Sequence, residues 1–475
     1  MADTTSTLDP ADWGDLRAQA HRMLDDMLDH LEHRRDLPLW QAAPATARAA
    51  FRVGLPREGV PLATAYGTFR ENVLPYGAGN THPGFMGWVQ GGGTAVGMLA
   101  EMLAAGFNAN CGGRDHMAHA VERQITAWMA ELYGFPSTAD GLFLTGASQA
   151  NFLAVLIARV RALGAAVRQT GTDGARLVAY ASEEVHGCVP RAMEMAGIGS
   201  DALRLIAADD TGRVDVAAMA ARIAADRAAG AQPFLIVGTA GTVNTGAVDD
   251  LAALADLAAA TGMHFHVDAA LGGFARLVPD LAPRLAGIER ADSLAFDFHK
   301  WMQVPYDAGF LLCRDGAWQR ETFAADSDYL SRAAGGLAGG DWWPCDVGPD
   351  LSRGFRALKT WFTLTTYGLD RLCAMIGQTC ALAARLAARV TAEPRLDLAA
   401  PVGLNVVCFR PAGDADGALS ARIVETLHAE GALAPSVTRL DGRPAIRAAI
   451  VNHRTTAADI DRLVADVLRL EGALG

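Results

Sequence analysis

Apolar positions near the start of the chain recur at helical spacing. Trp13, Leu16, Ala20, Met23, Met27 and Leu31 fall three or four residues apart, with charges between them, which predicts an amphipathic helix. Asp9-Pro10 reads as its N-cap and first position, and "HRRDLP" as its end. Pro and Gly then punctuate residues 37–84, an irregular arm. "TAVGMLAEMLAAGFNA" and "HAVERQITAWMAELYG" predict two more helices, the second closed by Gly134. From about residue 140 the rhythm changes. Short apolar or β-branched runs alternate with alanine-rich helical stretches: "GLFLTG" before "SQANFLAVLIARVRAL", "ARLVAYAS" before a helix from about Val189, and "PFLIVGTAG" before "DDLAALADLAAATG". "HFHVDAA", "SLAFDFH" and "GFLLCR" follow. Strand and helix in alternation predict an α/β domain with a mostly parallel sheet.

Ligands of such sheets sit at the carboxyl ends of the strands. The polar residues that end these runs are Thr145, His186, Thr242, Asp268 and Lys300. Residues 324–350 are rich in Gly, Asp and Pro and lack periodicity; connections of that length often serve as lids or binding loops. After "FRALKTWFTLTTYG", a last segment mixes helices with runs such as "GLNVVCFR" and "AIRAAIV", which predicts a smaller α+β domain. The expected division is an N-terminal helical arm at 1–85, a large α/β domain at 86–365 and a small C-terminal domain at 366–475.

Composition narrows the function classes. A formal net charge of −12 argues against nucleic-acid or anionic-membrane partners, which select basic surfaces. No run approaches the roughly 20 apolar residues of a membrane helix. The acidic, polar N-terminus lacks the pattern of a secretory signal. The seven cysteines are scattered without a CxxC pair, so neither a metal site nor a disulfide framework is expected. These features lead us to expect a cytoplasmic protein.

Only two of the 41 Lys and Arg residues are lysine, Lys300 and Lys359. Lysine can shed its proton and attack a carbonyl, whereas guanidinium effectively cannot. Lys300, in "FDFHKW", ends an apolar run, where amine chemistry is plausible. Lys359, in "SRGFRALKTW", reads as a solvated cation on a helix. Asp268 ends "HFHVD", where a carboxylate could bind a metal, act as a base or pair with a protonated heterocycle. "TGASQAN" puts small residues and a hydroxyl at a strand-to-helix turn, whose free amides and dipole suit phosphate. A nucleophilic lysine, an acid, a phosphate turn and His186 together are the parts of a pyridoxal phosphate site.

"HVDAALGG", "DSLAFDFHKW", "YASEEVHGCVPRAMEMAGIG" and "THPGFMGW" resemble the group II pyridoxal-phosphate-dependent decarboxylases, the family that includes aromatic L-amino-acid decarboxylase. The resemblance runs from about residue 10 to the C-terminus. It implies a fold type I, aspartate aminotransferase-like architecture with a seven-stranded sheet, and a homodimer whose arms and active sites lie at the interface. It also implies that Lys300 carries the cofactor through its amine and that Asp268 pairs with the ring nitrogen. His186 would stack on one ring face and Ala270 would touch the other. Ala147, Ser148 and His299 would hold the phosphate, and Thr242 and Asn244 would line the site.

The reaction implied is decarboxylation of an L-amino acid, with aromatic substrates favoured. In the family a tyrosine on a mobile loop is thought to return a proton to the substrate carbon. The corresponding loop, "GGLAGGDWWPCDVGPDLSRGF", has no tyrosine. Pro344 stands near the expected position, and the nearest preceding tyrosine is Tyr329. His186, Lys300, Cys345, Asp346 or water could donate instead. The alternative outcomes are oxidative deamination with dioxygen, giving an aldehyde, or cofactor binding without turnover. His82, Trp88, Asn108 and Asn110 are the expected substrate-pocket residues, the two asparagines reaching the partner subunit's site or serving only as turn residues. Arg447, in "AIRAAIVNHR", is either an α-carboxylate clamp or a strand-edge cation, and the second reading is preferred.

Overall fold

Seven strands build the main sheet: β1 (Asp140–Leu144), β2 (Leu177–Ser182), β3 (Leu203–Ile206), β4 (Gln232–Thr239), β5 (His264–Asp268), β6 (Ser293–Asp297) and β7 (Gly309–Cys313). Their order is β1-β7-β6-β5-β4-β2-β3. The pairs among β2 to β6 are parallel, and β7 runs antiparallel to both of its neighbours. The computed structural model describes residues 7–325 and 332–475. Every residue of β1, β2, β5, β6 and β7 is buried. Helices cover both faces of such a sheet, which is why these strands read as continuous apolar runs rather than alternating ones.

A second sheet, all antiparallel, contains β8 (Leu396–Leu398), β9 (Val406–Pro411), β10 (Ser436–Leu440) and β11 (Arg443–Ala449), in the order β10-β11-β9-β8. Leu382, Leu386, Ile423, Leu427, Ile460 and Leu463 fill the core on its helical side. One helix, Arg356–Ala392, links the two sheets and breaks its geometry at Gly368 (φ 71°, ψ 160°), a conformation open to glycine at little steric cost. Its residues through Ile376 join the large core, and those from Leu382 join the small one. The expected boundary at 365/366 falls just before that break, where two helical segments meet.

Several local expectations change. The first helix, Trp13–Glu32, is capped by Asp12, not Asp9: the Asp12 carboxylate accepts from Gly14 N and Asp15 N. Lys359 is not solvated. It is 1 % exposed, and its Nζ lies 2.9 Å from Glu101 Oε2, joining the helix Arg356–Ala392 to the helix Ala95–Phe107. The C-terminal half of the glycine-rich segment is anchored: Trp343 is buried against Gly113, and Pro344 opens a short 3-10 turn. Arg447 lies on β11, flanked by β10 and β9, so it is no strand-edge cation. It is buried, donates to Gly87 O and Ser436 Oγ through Nη1 and to Asn244 O through Nε, and its Nη2 finds no acceptor among the described residues.

Glu101 is half exposed, so the Lys359 pair contributes little as a charge pair; what matters is the snug fit of the lysine stem. Lys359→Met is expected to change stability by less than about 1 kcal/mol, whereas Lys359→Arg, which overfills the site, should cost about 1–3 kcal/mol. Urea unfolding of both variants checks this, and a larger loss in the methionine variant would refute it.

Burial depresses seven histidines: His82, His119, His264 and His453 to about 4, His266 to about 3, and His30 and His299 in the same direction. Between those values and the ordinary 6.5, the unfolded chain binds protons that the folded chain does not. Stability is thus complete above pH 6.5 and should fall as pH drops towards 4. Unfolding midpoints at pH 7, 6 and 5 test this; a flat profile over that range would contradict it.

Candidate active site

Three strand ends converge on one cavity of about 240 Å³, lined by Trp88, Ser148, His186, Asp268, Lys300 and Tyr306 among others. Asp268 is the last residue of β5. Its neighbour β6 ends at Asp297, three residues before Lys300. Because β5 and β6 are parallel, both ends open on the same edge. Gly91 holds the lysine turn from the other side: Gly91 N donates to His299 O, and a Cβ there would sit 2.5 Å from the carbonyl oxygens of both His299 and Lys300.

Lys300 Nζ lies 2.9 Å from Asp297 Oδ2. Burial pushes its pKa down, but the charge and hydrogen bond of Asp297, helped by Asp268, outweigh burial and hold the ammonium above the ordinary lysine value. Asp297 also accepts from Ala147 N at 2.7 Å, so the first amide of the helix Ala147–Leu163 is already engaged. Across the cavity, the Asp268 carboxylate is buried and fixed by two donors, Asn151 Nδ2 to Oδ2 (3.0 Å) and Ala270 N to Oδ1 (3.1 Å). His186 sits four residues beyond the end of β2 and is exposed; its Nδ1 accepts from Cys188 N.

The residues expected from sequence divide into two groups. Lys300, Asp268, His186, Ala147, Ser148, Ala270 and Trp88 all line the cavity. His299 stands just behind it, buried, its Nδ1 accepting from Ala308 N and its ring packed on Tyr306 at 4.2 Å. Burial lowers its pKa, against the raising effect of Asp297. Thr242 does not line the cavity: its hydroxyl bonds Thr245 Oγ1 and accepts from Ala247 N, closing a turn, and Thr239, Gly241 and Val243 form that part of the wall instead. Asn244 is bound to Glu184 and Thr438. His82 is also absent from the wall; it is buried, and its Nδ1 accepts from Gly84 N.

Asn108 and Asn110 are turn residues within their own chain. Asn108 takes a left-handed conformation (φ 49°) that ends the helix Ala95–Phe107, and Asn110 Oδ1 accepts from Gly112 N and Arg353 N. Of the proposed proton donors, Cys345 and Asp346 are off the cavity wall, and Asp346 is paired with Arg332. Tyr329 lies outside the described residues. Sequence reasoning missed Asn151, Asp297 and Tyr306. The i, i+3 spacing of Asp297 and Lys300 was a usable signal; Asn151 and Tyr306 acquire their positions only through tertiary packing.

A fixed carboxylate facing an amine, beside a helix N-terminus and an imidazole, fits pyridoxal phosphate: the acid suits a protonated ring nitrogen and the amine an aldehyde. Comparisons agree. Residues 44–412 match the family described as the pyridoxal-dependent decarboxylase conserved domain. Aromatic-L-amino-acid decarboxylase of Bacillus atrophaeus is 29% identical over 466 residues, covering 96% of this chain and 95% of its own length. L-2,4-diaminobutyrate decarboxylase of Rhizobium meliloti (strain 1021) is 32% identical over 419 residues, covering 86% and 82%. Among solved structures, Oryza sativa TDC with PLP and tryptamine superposes with a TM-score of 0.89 at 24% identity, over 98% of this chain and 100% of that one, a likeness that shows the fold. With its sheet, its acid-and-amine cavity and a family match across most of its length, the chain belongs to the pyridoxal-dependent decarboxylases and is a pyridoxal-phosphate-dependent carboxy-lyase.

Proposed function

We propose that the protein removes the α-carboxyl group of an aromatic L-amino acid, releasing the amine and carbon dioxide. The observation that carries this is the composition of the cavity wall. Its only formally charged lining side chains among the described residues are Asp268 and Lys300, both committed to the cofactor. Trp88, Val89, Val243, Leu271 and Tyr306 supply apolar and aromatic surface. Trp88 is half exposed at the mouth, tilted against Phe85 and His428. Such a wall suits a flat ring; the charged residues Arg191, Asp350 and Arg356 line the adjoining cavity that shares Ser148, His186 and Cys188.

The chain's own residues divide the work. Lys300 Nζ is the amine that would hold pyridoxal phosphate through its aldehyde. Asp297, 2.9 Å from that nitrogen, is the group through which the lysine gains and loses its proton. Asp268 would pair with the ring nitrogen, and His186 and Ala270 would hold the ring between them. Ser148 and His299, with the N-terminus of the helix Ala147–Leu163, would receive the phosphate; the Ala147 amide itself is held by Asp297. Bound pyridoxal phosphate supplies the electron sink for the pair left on the α-carbon when carbon dioxide departs. With Cys345 and Asp346 off the wall, His186 and Lys300 are the named donors left lining the cavity, and we assign the returning proton to Lys300 Nζ, which lies 2.9 Å from Asp297 Oδ2. A donor already inside the cavity favours simple decarboxylation over reaction with dioxygen.

The helix Ala95–Phe107 leaves Met102, Leu103 and Phe107 exposed, an apolar face that supports a homodimer with sites at the interface. All seven cysteines are free and no described helix is long and apolar enough to cross a membrane, which supports a cytoplasmic location.

Purified protein loaded with pyridoxal phosphate and given a panel of L-amino acids, with amine, carbon dioxide and oxygen followed together, tests the proposal. Amine and carbon dioxide from aromatic substrates without oxygen uptake are expected, and Lys300→Arg should abolish both products. Aldehyde formation with oxygen uptake, or a preference for charged side chains, would overturn it.

A further inference from the structure

Behind Asp268 a row of buried side chains leads away from the cavity. Asn151 Nδ2 is 3.0 Å from Asp268 Oδ2, and Asn151 Oδ1 is 2.6 Å from His266 Nε2. His266 Nδ1 and His264 Nε2 each lie 2.8 Å from Ser293 Oγ. His264 Nδ1 lies 2.7 Å from Arg161 Nη1, and Arg161 pairs with Asp292 and stacks on Trp318. Asn151, His264, His266, Ser293 and Asp268 are all buried, whereas Arg161 reaches the surface. The sequence supports the row twice. Residues 264, 266 and 268 alternate along β5 and so share one face, and the helix Ala147–Leu163 carries both Asn151 and Arg161.

We propose that the bond directions in this row, set by Arg161 at one end and by the Asp268 carboxylate at the other, make Arg161, His264, Ser293, His266 and Asn151 positioning residues that aim the Asp268 carboxylate at the cofactor's ring nitrogen. The proposal rests on the role given to Asp268 above. A guanidinium only donates, so His264 Nδ1 accepts and the His264 proton sits on Nε2. That proton goes to Ser293 Oγ, whose own hydrogen then points to His266 Nδ1. The His266 proton therefore sits on Nε2 and is donated to Asn151 Oδ1. The amide is thus turned so that Nδ2 faces Asp268 Oδ2, with its second hydrogen towards Cys188 Sγ at 3.2 Å. The opposite direction fails at both ends. It would set an imidazole N–H against the guanidinium, and the amide oxygen of Asn151 against a carboxylate. Burial keeps both imidazoles neutral, with pKa values lowered to about 4 for His264 and about 3 for His266; a second proton on either ring would break the row.

The test loads the holoenzyme and its variants with pyridoxal phosphate ¹⁵N-labelled in the ring, then reads the ring-nitrogen resonance and the cofactor concentration at half-saturation. Arg161→Met and Ser293→Ala should move the resonance towards unprotonated pyridine. They should also raise the half-saturating concentration roughly tenfold, the size that losing an outer partner has at metal sites. Arg161→Lys and Ser293→Thr, which keep the donors, should stay near the parent. Arg161 is partly exposed, so its variants report even where a change at Ser293 prevents folding. Asp268→Asn is the reference. If it moves the resonance while Arg161→Met and Ser293→Ala do not, the directed row is refuted and the Asp268 pairing stands. If Asp268→Asn has no effect either, the Asp268 role fails and takes the proposal with it. Equal shifts in the lysine and methionine variants at 161 would also refute it, by showing that packing rather than bond direction was disturbed.

Discussion

The site depends on one constraint: β5 and β6 are adjacent and parallel. Parallel neighbours end at the same edge of a sheet, so an acid at the end of one and an amine just beyond the other must face a common space. His266 pairs with Ser293 and Asp268 with Ala295 in register, which also brings the serine hydroxyl beside the two β5 histidines. A one-residue slip would turn Asp268 away and present Val267. Complete burial of both strands makes such a slip costly, because the apolar residues that now pack on the covering helices would exchange places with polar ones.

The charge inventory follows from the same burial. Arginine serves where a buried cation must be shared among several acceptors. Arg353 binds Glu122 and the carbonyls of Cys111 and Phe143, Arg410 three carbonyls, and Arg34 Thr81 and two carbonyls. Five donors in a rigid fork suit such sites. The two lysines do what arginine cannot. Lys359 threads a slender stem between two helices to a single carboxylate, and Lys300 places a nitrogen that can lose its proton in the cavity.

Much of this was legible in the sequence. Strand-to-helix alternation gave the large sheet, and polar residues ending apolar runs gave Asp268, Lys300 and His186. Thr242 misled because a hydroxyl closing a turn has the same sequence signature as one lining a site. Lys359 misled because its helix looks amphipathic on its own, and the helix that buries it lies some 250 residues earlier. Asp12 rather than Asp9 is the cap because it directly precedes Trp13 and reaches the first amides, whereas Asp9 bonds Thr7. Asn151 was out of reach: it sits in a helix whose sequence says only "helix", and its partners come from β5.

Covalent trapping tests the central claim most directly. The protein loaded with pyridoxal phosphate, reduced with borohydride, digested and mapped by mass spectrometry, should carry the reduced cofactor on Lys300 alone. A label on Lys359 or the terminal amine, or no label on Lys300, would contradict the account.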